Sequence, residues 1–558
     1  METYSGEVMM EFDFIIVGAG SAGCIVADRL SESGRYSVLL IEAGGRDVSP
    51  WIKLPVGFGK TYYNPKYNYM YYSEAEKEMA GRKLYAPRGK VQGGSGSINA
   101  MIYVRGQASD FDDWANAGNQ GWSYQDVLPY FKKLEQHPLG ETPYHSDQGK
   151  IGILPMKDGA HPICQDYLAA AKELGYPLND DFNGAEFEGA GVYETNIKNG
   201  QRSSSNIAYL KPALKRANLT LWRVSQVEKI VLNEKTALNE KAALDEANRA
   251  TGVLVRHEGK LVEVKAHKEV ILCAGAVDSP KLLQLSGIGD KDELEAKQVT
   301  PLHHLPGVGK NLQDHLCVSY YYRAKVKTLN DVFLSYASQI KAGLEYVINR
   351  TGPLSMSVNQ AGGFFKGNEQ ETEPNIQLYF NPMSYQIPVD PNASLEPEPY
   401  SGFLLAFNAC RPTSTGTIVL ASNDPLDAAL IKPNYLSTQK DKDEVIQGSR
   451  LIRKMMQAKA LQKITEEEVI PTLSQVNDDE SMLQYFREKG GSIYHLCGSC
   501  KMGPNPADAV VDDRLRVHGI SALRVIDASI FPNITSGNIN APVMMVAEKG
   551  AHLILSEL

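Results

Sequence analysis

An α/β fold built around a nucleotide-binding β-α-β unit is predicted by three features of this 558-residue chain. A β-branched apolar run breaks into the glycine turn Gly18-Ala-Gly20-Ser-Ala-Gly23. An acid, Glu42, ends a second such run 19 residues beyond Gly23. Further short apolar runs end in glycine turns or acids as far downstream as Asp527. Residues 12–17 are apolar and rich in β-branched side chains, which reads as a buried strand. Residues 24–30 continue with helical spacing, so that Ile25, Val26 and Leu30 share a face. Residues 37–41 read as the second strand, with Glu42 at its tip. Gly18 permits the tight turn, Gly20 lets a pyrophosphate approach bare backbone, and Gly23 lets the helix lie close on the strand. The free N–H groups of the first helical turn then face the phosphates. Glu42 accepts hydrogen bonds from ribose hydroxyls and repels a 2′-phosphate, which counts against NADP. NAD and FAD both satisfy this unit.

Composition narrows the class. Hydrophobic residues make up 43% and charged residues 22%, as in ordinary globular proteins and unlike a disordered chain. The net charge of −9 argues against a nucleic-acid binder, which needs a basic face. At roughly 150 residues per domain the length allows about three or four units. The start, METYSGEVMMEF, has neither the basic nor the apolar region of a secretory signal. Met9 or Met10 is a candidate true start, with the first eight residues an extension. No apolar run approaches the ~20 residues that span a bilayer; the longest, residues 402–409 and 543–547, are core-sized. Seven cysteines are too few and odd in number for a secreted disulfide scaffold. A cytoplasmic location follows, with association with the cytoplasmic face of a membrane left open. Cys497-Gly-Ser-Cys500 has CxxC spacing, but it lacks a second ligand pair for zinc and the strand–helix context of a redox dithiol. It reads as two thiols in a tight loop, and no metal site is expected.

The pieces that separate FAD from NAD lie further along. Residues 89–99, Gly-Lys-Val-Gln-Gly-Gly-Ser-Gly-Ser-Ile-Asn, let backbone approach a flat ligand. Residues 269–275 run as a buried strand into a glycine turn, followed by Gly275-Ala-Val-Asp-Ser-Pro280, a helical stretch at 281–285 and Ser286-Gly-Ile-Gly289. Residues 523–527, Leu-Arg-Val-Ile-Asp, form another strand ending in an acid.

These blocks resemble the glucose–methanol–choline (GMC) flavin oxidoreductases, and the resemblance covers nearly the whole chain. Residues 89–112 are similar to the first family signature and 275–289 to the second. Residues 307–314, Gly-Val-Gly-Lys-Asn-Leu-Gln-Asp, also match, as do 495–503, 525–532 and 537–543. The branch it resembles most is the bacterial choline-dehydrogenase-like alcohol dehydrogenases. The resemblance implies a discontinuous, Rossmann-like FAD-binding domain, residues 12–315 and 485–558, with excursions near 150–205. It also implies an α+β substrate domain, residues 316–484, whose antiparallel sheet lies over the flavin. Carried over by position, Gly18, Gly20, Gly23 and Glu42 hold the ADP half, and Val227 meets the adenine through backbone. Gly93, Gly94 and Asn99 lie along the flavin or ribityl chain. Asp527 and Ala528 hold the ribityl and pyrophosphate region, and Asn538 is a further cofactor contact. Gln92 and Gly96 depart from the signature, which expects an apolar residue and Ser there, so unusual flavin affinity or potential is expected. Ile98 stands where some relatives attach FAD through His; it has no nucleophile, so FAD is expected to be non-covalent.

Alcohol oxidation removes a hydroxyl proton and a hydride, and flavin accepts the hydride. The proton needs a base within hydrogen-bond reach, and histidine suits that role. Among eleven histidines, His495 matches the family's catalytic histidine; read alone, it is equally a loop histidine capping backbone. The resemblance makes Asn540 its partner, orienting the substrate oxygen. Asn540 precedes Ala541-Pro542, so it also reads as the cap of a helix whose N–H groups face the flavin. His315, His303 and His304 read as structural or surface groups. Six tyrosines among residues 62–72 read as packing under a long loop, with an aromatic entrance as the alternative.

The remaining segments are simpler. Residues 232–246 form a six-residue quasi-repeat between two strands and read as a solvated insertion. Strands at 375–380 and 417–420 and a helix at 442–458 belong to the substrate domain. The expected partners are a small-molecule alcohol and an electron acceptor, either a quinone-type carrier or oxygen. Peripheral membrane contact stays open. Rival readings are an NAD-dependent dehydrogenase, an alcohol oxidase, a non-redox FAD-binding lyase-type relative and an FAD-binding interaction module.

Overall fold

The computed structural model describes residues 10–233, 248–385 and 395–558. The expected N-terminal extension and nearly all of the quasi-repeat at 232–246 lie outside the described residues.

The strand Met10–Val17 is fully buried from Phe14 onward, as is Val38–Ile41 beside it. Strands buried on both faces belong in a parallel sheet covered on both sides. Five parallel strands run in the order Leu219–Trp222, Val38–Ile41, Met10–Val17, Lys260–Leu272 and Leu523–Val525. Lys260–Leu272 is 13 residues long and pairs with three strands. Its first half pairs antiparallel with Ala250–His257, which pairs with Gln226–Leu232. Its second half joins the parallel sheet. Gly18, Glu42, Gly275 and Asp527 all follow the carboxyl ends of parallel strands, the edge where open α/β sheets bind ligands.

The second seven-stranded sheet is antiparallel, with the path Thr465–Ile470, Leu316–Ala324, Gly402–Ala409, Ile376–Asn381, Ala361–Phe365 and Gly189–Val192. Gly491–Ser492 pairs beside the start of Leu316–Ala324. Burial along Leu316–Ala324 alternates strictly, as expected of a strand between two different environments. Leu316, Val318, Tyr320 and Tyr322 enter the core. Cys317, Ser319 and Tyr321 point the other way, into a cavity facing the first sheet.

Two helices start earlier than the sequence suggests. The one expected at 281–285 begins at Gly275 and carries Pro280 inside it. The one expected at 442–458 spans Gln439–Met456, because the Thr438 hydroxyl accepts the Asp441 N–H and caps it.

Candidate active site

Between the two sheets lies a cavity of about 840 Å³, toward the upper end of small-molecule sites. One wall is the nucleotide turn. Gly18 has φ +99°, and a Cβ there would fall 2.5 Å from the Cys273 carbonyl oxygen. A Cβ on Gly23 would fall 1.9 Å from the Gly18 oxygen, so the helix Ser21–Ser31 can lie this close only with glycine. Gly94 packs on Gly20, where a Cβ would come within 2.7 Å of the Gly20 Cα. Gly275 faces open space within the cavity lining. This bare-backbone cradle fits an extended dinucleotide.

Glu42 is buried at the tip of its strand, and its carboxylate accepts the Ala19 and Gly44 N–H groups, both at 2.8 Å. Burial pushes its pKa up to about 7. Val227 lines the same end of the cavity. Asp527 spends its carboxylate inward, on the Gly275 N–H at 2.8 Å, the Ser279 hydroxyl at 2.6 Å and the Ser529 N–H at 2.8 Å. It therefore ties the Gly275 turn to the last strand, and both Asp527 and Ala528 line the cavity.

Gly93 passes its N–H to Ala19 at 2.7 Å. Asn99 is clamped by Arg202, which donates to its side-chain oxygen at 2.6 Å and its carbonyl at 2.7 Å. Arg202 also donates to the carbonyls of Ile52 and Gly96 at 2.9 and 3.2 Å. Burial alone lowers its pKa to about 9. Gln92 is buried, and it lies outside the cavity lining. Gly96 has a local reason: a Cβ there would sit 2.5 Å from Ser21 Oγ and 3.4 Å from Asn540 Oδ1.

Ser21 Oγ donates to Asn540 Oδ1 at 2.8 Å, joining the amino ends of helices Ser21–Ser31 and Asn540–Ser556, which pack along each other. Two helix amino ends side by side favour an anionic ligand. Deeper in, Arg29 and buried Glu548 link the same helices at 2.7 Å. Ile539, not Asn540, is the cap residue, and Asn540 is the first helical residue.

Asn540 is therefore engaged with Ser21, and the structure does not bring it to His495 as expected. The carboxamide at His495 belongs to Asn538: its Nδ2 stands 3.4 Å from His495 Nε2, and its Oδ1 accepts Gln377 Nε2 at 3.3 Å. The reason is the helix start. Both residues line the cavity, but residue 538 precedes the helix on the His495 side, whereas residue 540 is carried round toward the glycine turn.

His495 is held from several sides. Its backbone N–H donates to Asp314 Oδ1 at 2.7 Å. The preceding residue, Tyr494, has φ +76°, costly for a bulky side chain. That turn is held by Tyr494 N–H on Ser492 Oγ at 2.8 Å and Arg88 on the Tyr494 carbonyl at 2.8 Å. His495 Nδ1 meets His315 Nδ1 at 2.9 Å, and His315 Nε2 meets the Cys410 carbonyl at 2.8 Å. A carbonyl only accepts, so His315 Nε2 carries the proton and its Nδ1 is an acceptor. His495 Nδ1–H then donates to it, leaving Nε2 of His495 bare toward the cavity. Both rings are neutral: burial lowers His315 to about 4. Burial, the His315 ring and Arg88 hold His495 well below the ordinary histidine range.

Of the two readings, structural or surface, His315 is the structural one: it is fully buried and positions the His495 ring. The pairing of Gln313 with Cys497 sets residues 313–315 against 495–497. The available signal was its place directly after the Gly307–Asp314 block.

The tyrosines divide. Tyr67 packs with Ile52, Val91 and Ile98, whereas Tyr62, Tyr63, Tyr69 and Tyr72 line the cavity. The Tyr62 ring contacts those of Tyr85 and Tyr494 at 5.3 and 5.4 Å. Cys497 and Cys500 are buried free thiols.

A nucleotide cradle facing a bare imidazole nitrogen across one cavity defines a cofactor-dependent oxidoreductase. The chain belongs to the GMC oxidoreductase family, whose N-terminal part matches residues 12–317 and whose C-terminal part matches residues 412–547. It is 41% identical over 551 residues to the oxygen-dependent choline dehydrogenase of Vibrio vulnificus (strain YJ016), covering 98% of this chain and 95% of that protein. It is 37% identical over 551 residues to the alcohol dehydrogenase [acceptor] of Pseudomonas putida, covering 98% and 96%. The crystal structure of pyridoxine 4-oxidase from Mesorbium loti superposes with a TM-score of 0.85 at 31% identity, over 97% of this chain and 98% of that one. The cofactor of this flavoprotein family is FAD, and the chain oxidises alcohol-type substrates.

Proposed function

We propose that this protein is an FAD-dependent dehydrogenase that oxidises a primary alcohol to the aldehyde, with His495 as general base and Asn538 as the group that holds the substrate oxygen. The observation that carries this reading is the proton order of the histidine pair, which leaves Nε2 of His495 unprotonated and aimed at the cavity. Gly18, Gly20, Gly23, Glu42 and Val227 hold the ADP half, and Gly93, Gly94, Asn99 and Ala528 hold the flavin half. Residues 12–315 and 485–558 carry these groups, and residues 316–484 close the opposite face. Bound there, FAD supplies the acceptor for the hydride lost from the carbinol carbon. It is held non-covalently, since Ile98 offers no nucleophile.

His495 Nε2 takes the hydroxyl proton. Asn538 Nδ2 donates to the alkoxide oxygen as its charge grows, and Gln377 fixes the amide by donating to its oxygen. Asn540 is assigned to the cofactor side, through Ser21. The wall presented by the second sheet, with Cys317, Ser319, Tyr321, Tyr379, Asn381, Leu404 and Ala406, carries no charged side chain among the described residues. A quinone-type carrier is proposed as the acceptor, with oxygen the alternative.

The test is anaerobic bleaching of the flavin absorbance by a panel of alcohols that includes choline. Histidine base catalysis contributes ~10²–10⁴-fold, so His495→Ala slows bleaching by that much while FAD stays bound. Near-normal bleaching in that variant removes the assignment.

A further inference from the structure

Helix Tyr336–Asn349 turns its apolar side away from the protein. Its buried side chains are Ala342 and Tyr346. Tyr336, Ile340, Leu344, Val347 and Ile348 are 85, 64, 56, 70 and 74% exposed. At about 100° per residue these five fall in an arc of about 120°, opposite the two buried positions. A contiguous outward apolar stripe marks an interaction site.

The stripe has neighbours of the same character. The helix packs on the turn Pro353–Ser355, which packs on Pro55–Gly57 and through it on Pro50–Lys53, where Trp51 is 46% exposed. The preceding helix, Leu329–Leu334, connects this face to the cavity: Val332 and Phe333 pack in one cluster with Phe58 and Tyr385, both of which line it. Residues 48–60 and 325–350 carry six basic side chains, Lys53, Lys60, Lys325, Lys327, Lys341 and Arg350, against two acids, Asp331 and Glu345, in a chain of net charge −9. All six bases are exposed.

We propose that this face docks on an anionic lipid bilayer. The helix lies in the interface with its stripe in the acyl boundary, Trp51 and Tyr336 at headgroup level, and the bases against anionic headgroups. No helix among the described residues is long and apolar enough to cross a membrane, so the contact is peripheral. A second copy of the chain is the poorer occupant, because a two-fold contact sets this basic face against itself. Docked this way, the Phe58–Tyr385 side of the cavity meets lipid, and an apolar alcohol or a lipid-soluble carrier enters from the bilayer. That consequence rests on the oxidation proposed above; the docking itself does not.

The experiment is flotation of the full-length, FAD-loaded chain with vesicles of phosphatidylcholine alone and of phosphatidylcholine with phosphatidylglycerol in equal parts. The chain floats with the mixed vesicles and stays behind with the neutral ones. The double variant Ile340→Glu, Val347→Glu partitions at least about tenfold less, and Lys53→Glu, Lys341→Glu loses the preference for phosphatidylglycerol. Neither variant changes oxidation of a water-soluble alcohol with a soluble dye. A wild-type chain that stays in solution at every phosphatidylglycerol content overturns the proposal, as does an Ile340→Glu, Val347→Glu chain that floats normally. So does a wild-type dimer that the same variant converts to monomer, which gives the face to a second copy. Flotation without alcohol oxidation supports the docking and overturns the oxidation instead.

Discussion

Replacing His315 by Phe removes the acceptor that fixes the proton on His495. In the wild type, His495 Nδ1–H donates to His315 Nδ1 at 2.9 Å inside the protein. Phenylalanine offers no acceptor, and an unpaired buried donor costs about 1–3 kcal/mol. The His495 ring avoids that cost by moving its proton to Nε2, the nitrogen that faces the cavity, where it can no longer accept the substrate proton. At about 1.4 kcal/mol per factor of ten, the base-competent tautomer falls by about 5- to 150-fold, and the bimolecular rate of anaerobic flavin bleaching falls with it. His315→Asn restores an acceptor oxygen on the same side and recovers much of the rate. Nitrogen NMR of the His495 ring reports the tautomer directly, and the visible spectrum checks that FAD stays bound. A His315→Phe enzyme that retains FAD and bleaches within twofold of wild type refutes this reasoning. So does one whose His495 keeps its proton on Nδ1.

Four further outcomes follow from the structure. Asn538→Ala slows bleaching by about 10- to 150-fold, the worth of one hydrogen bond to a charged oxygen, with FAD retained. Asn540→Ala instead loosens FAD, read by flavin fluorescence after dilution, because it cuts the Ser21 contact; the reverse pattern returns Asn540 to catalysis. Gly96→Ser lowers thermal stability and FAD retention, because the new Cβ would fall 2.5 Å from Ser21 Oγ. Adding Ser21→Ala recovers much of the loss in a melting assay, and failure to recover removes this account of the glycine. His315 titrates near 6.5 unfolded and at about 4 folded, so the folded chain binds fewer protons between those values. Stability is present in full above about pH 6.5 and is lost as pH falls toward 4, by up to about 3 kcal/mol. Denaturant melts of wild type and His315→Asn check this, the variant showing the shallower acid loss.

What the sequence disclosed and what it hid follow from the range of the forces involved. Gly18, Gly20, Gly23 and Glu42 were legible because a tight turn, a close helix and a strand tip impose residue types at fixed local spacing. The second sheet was legible in part, because residues 375–380 alternate as a strand does and become the fully buried strand Ile376–Asn381. His315 was hidden, because its role comes from the bridge between Gln313 and Cys497, a contact with no local period. The two asparagines of Gly537-Asn-Ile-Asn540 show the limit most sharply. Pro542 correctly announces a helix, yet a shift of one residue in its start decides which carboxamide meets the imidazole. The start falls one residue earlier than a cap at Asn540 implies. Asn540 is thereby turned to Ser21, and Asn538 is left at His495. The same reasoning accounts for Gly96. It departs from the family signature, and its cause lies in space, where Ser21 and Asn540 already fill the volume a side chain would need. A residue that looks anomalous along the chain is the third member of a contact that only the fold assembles.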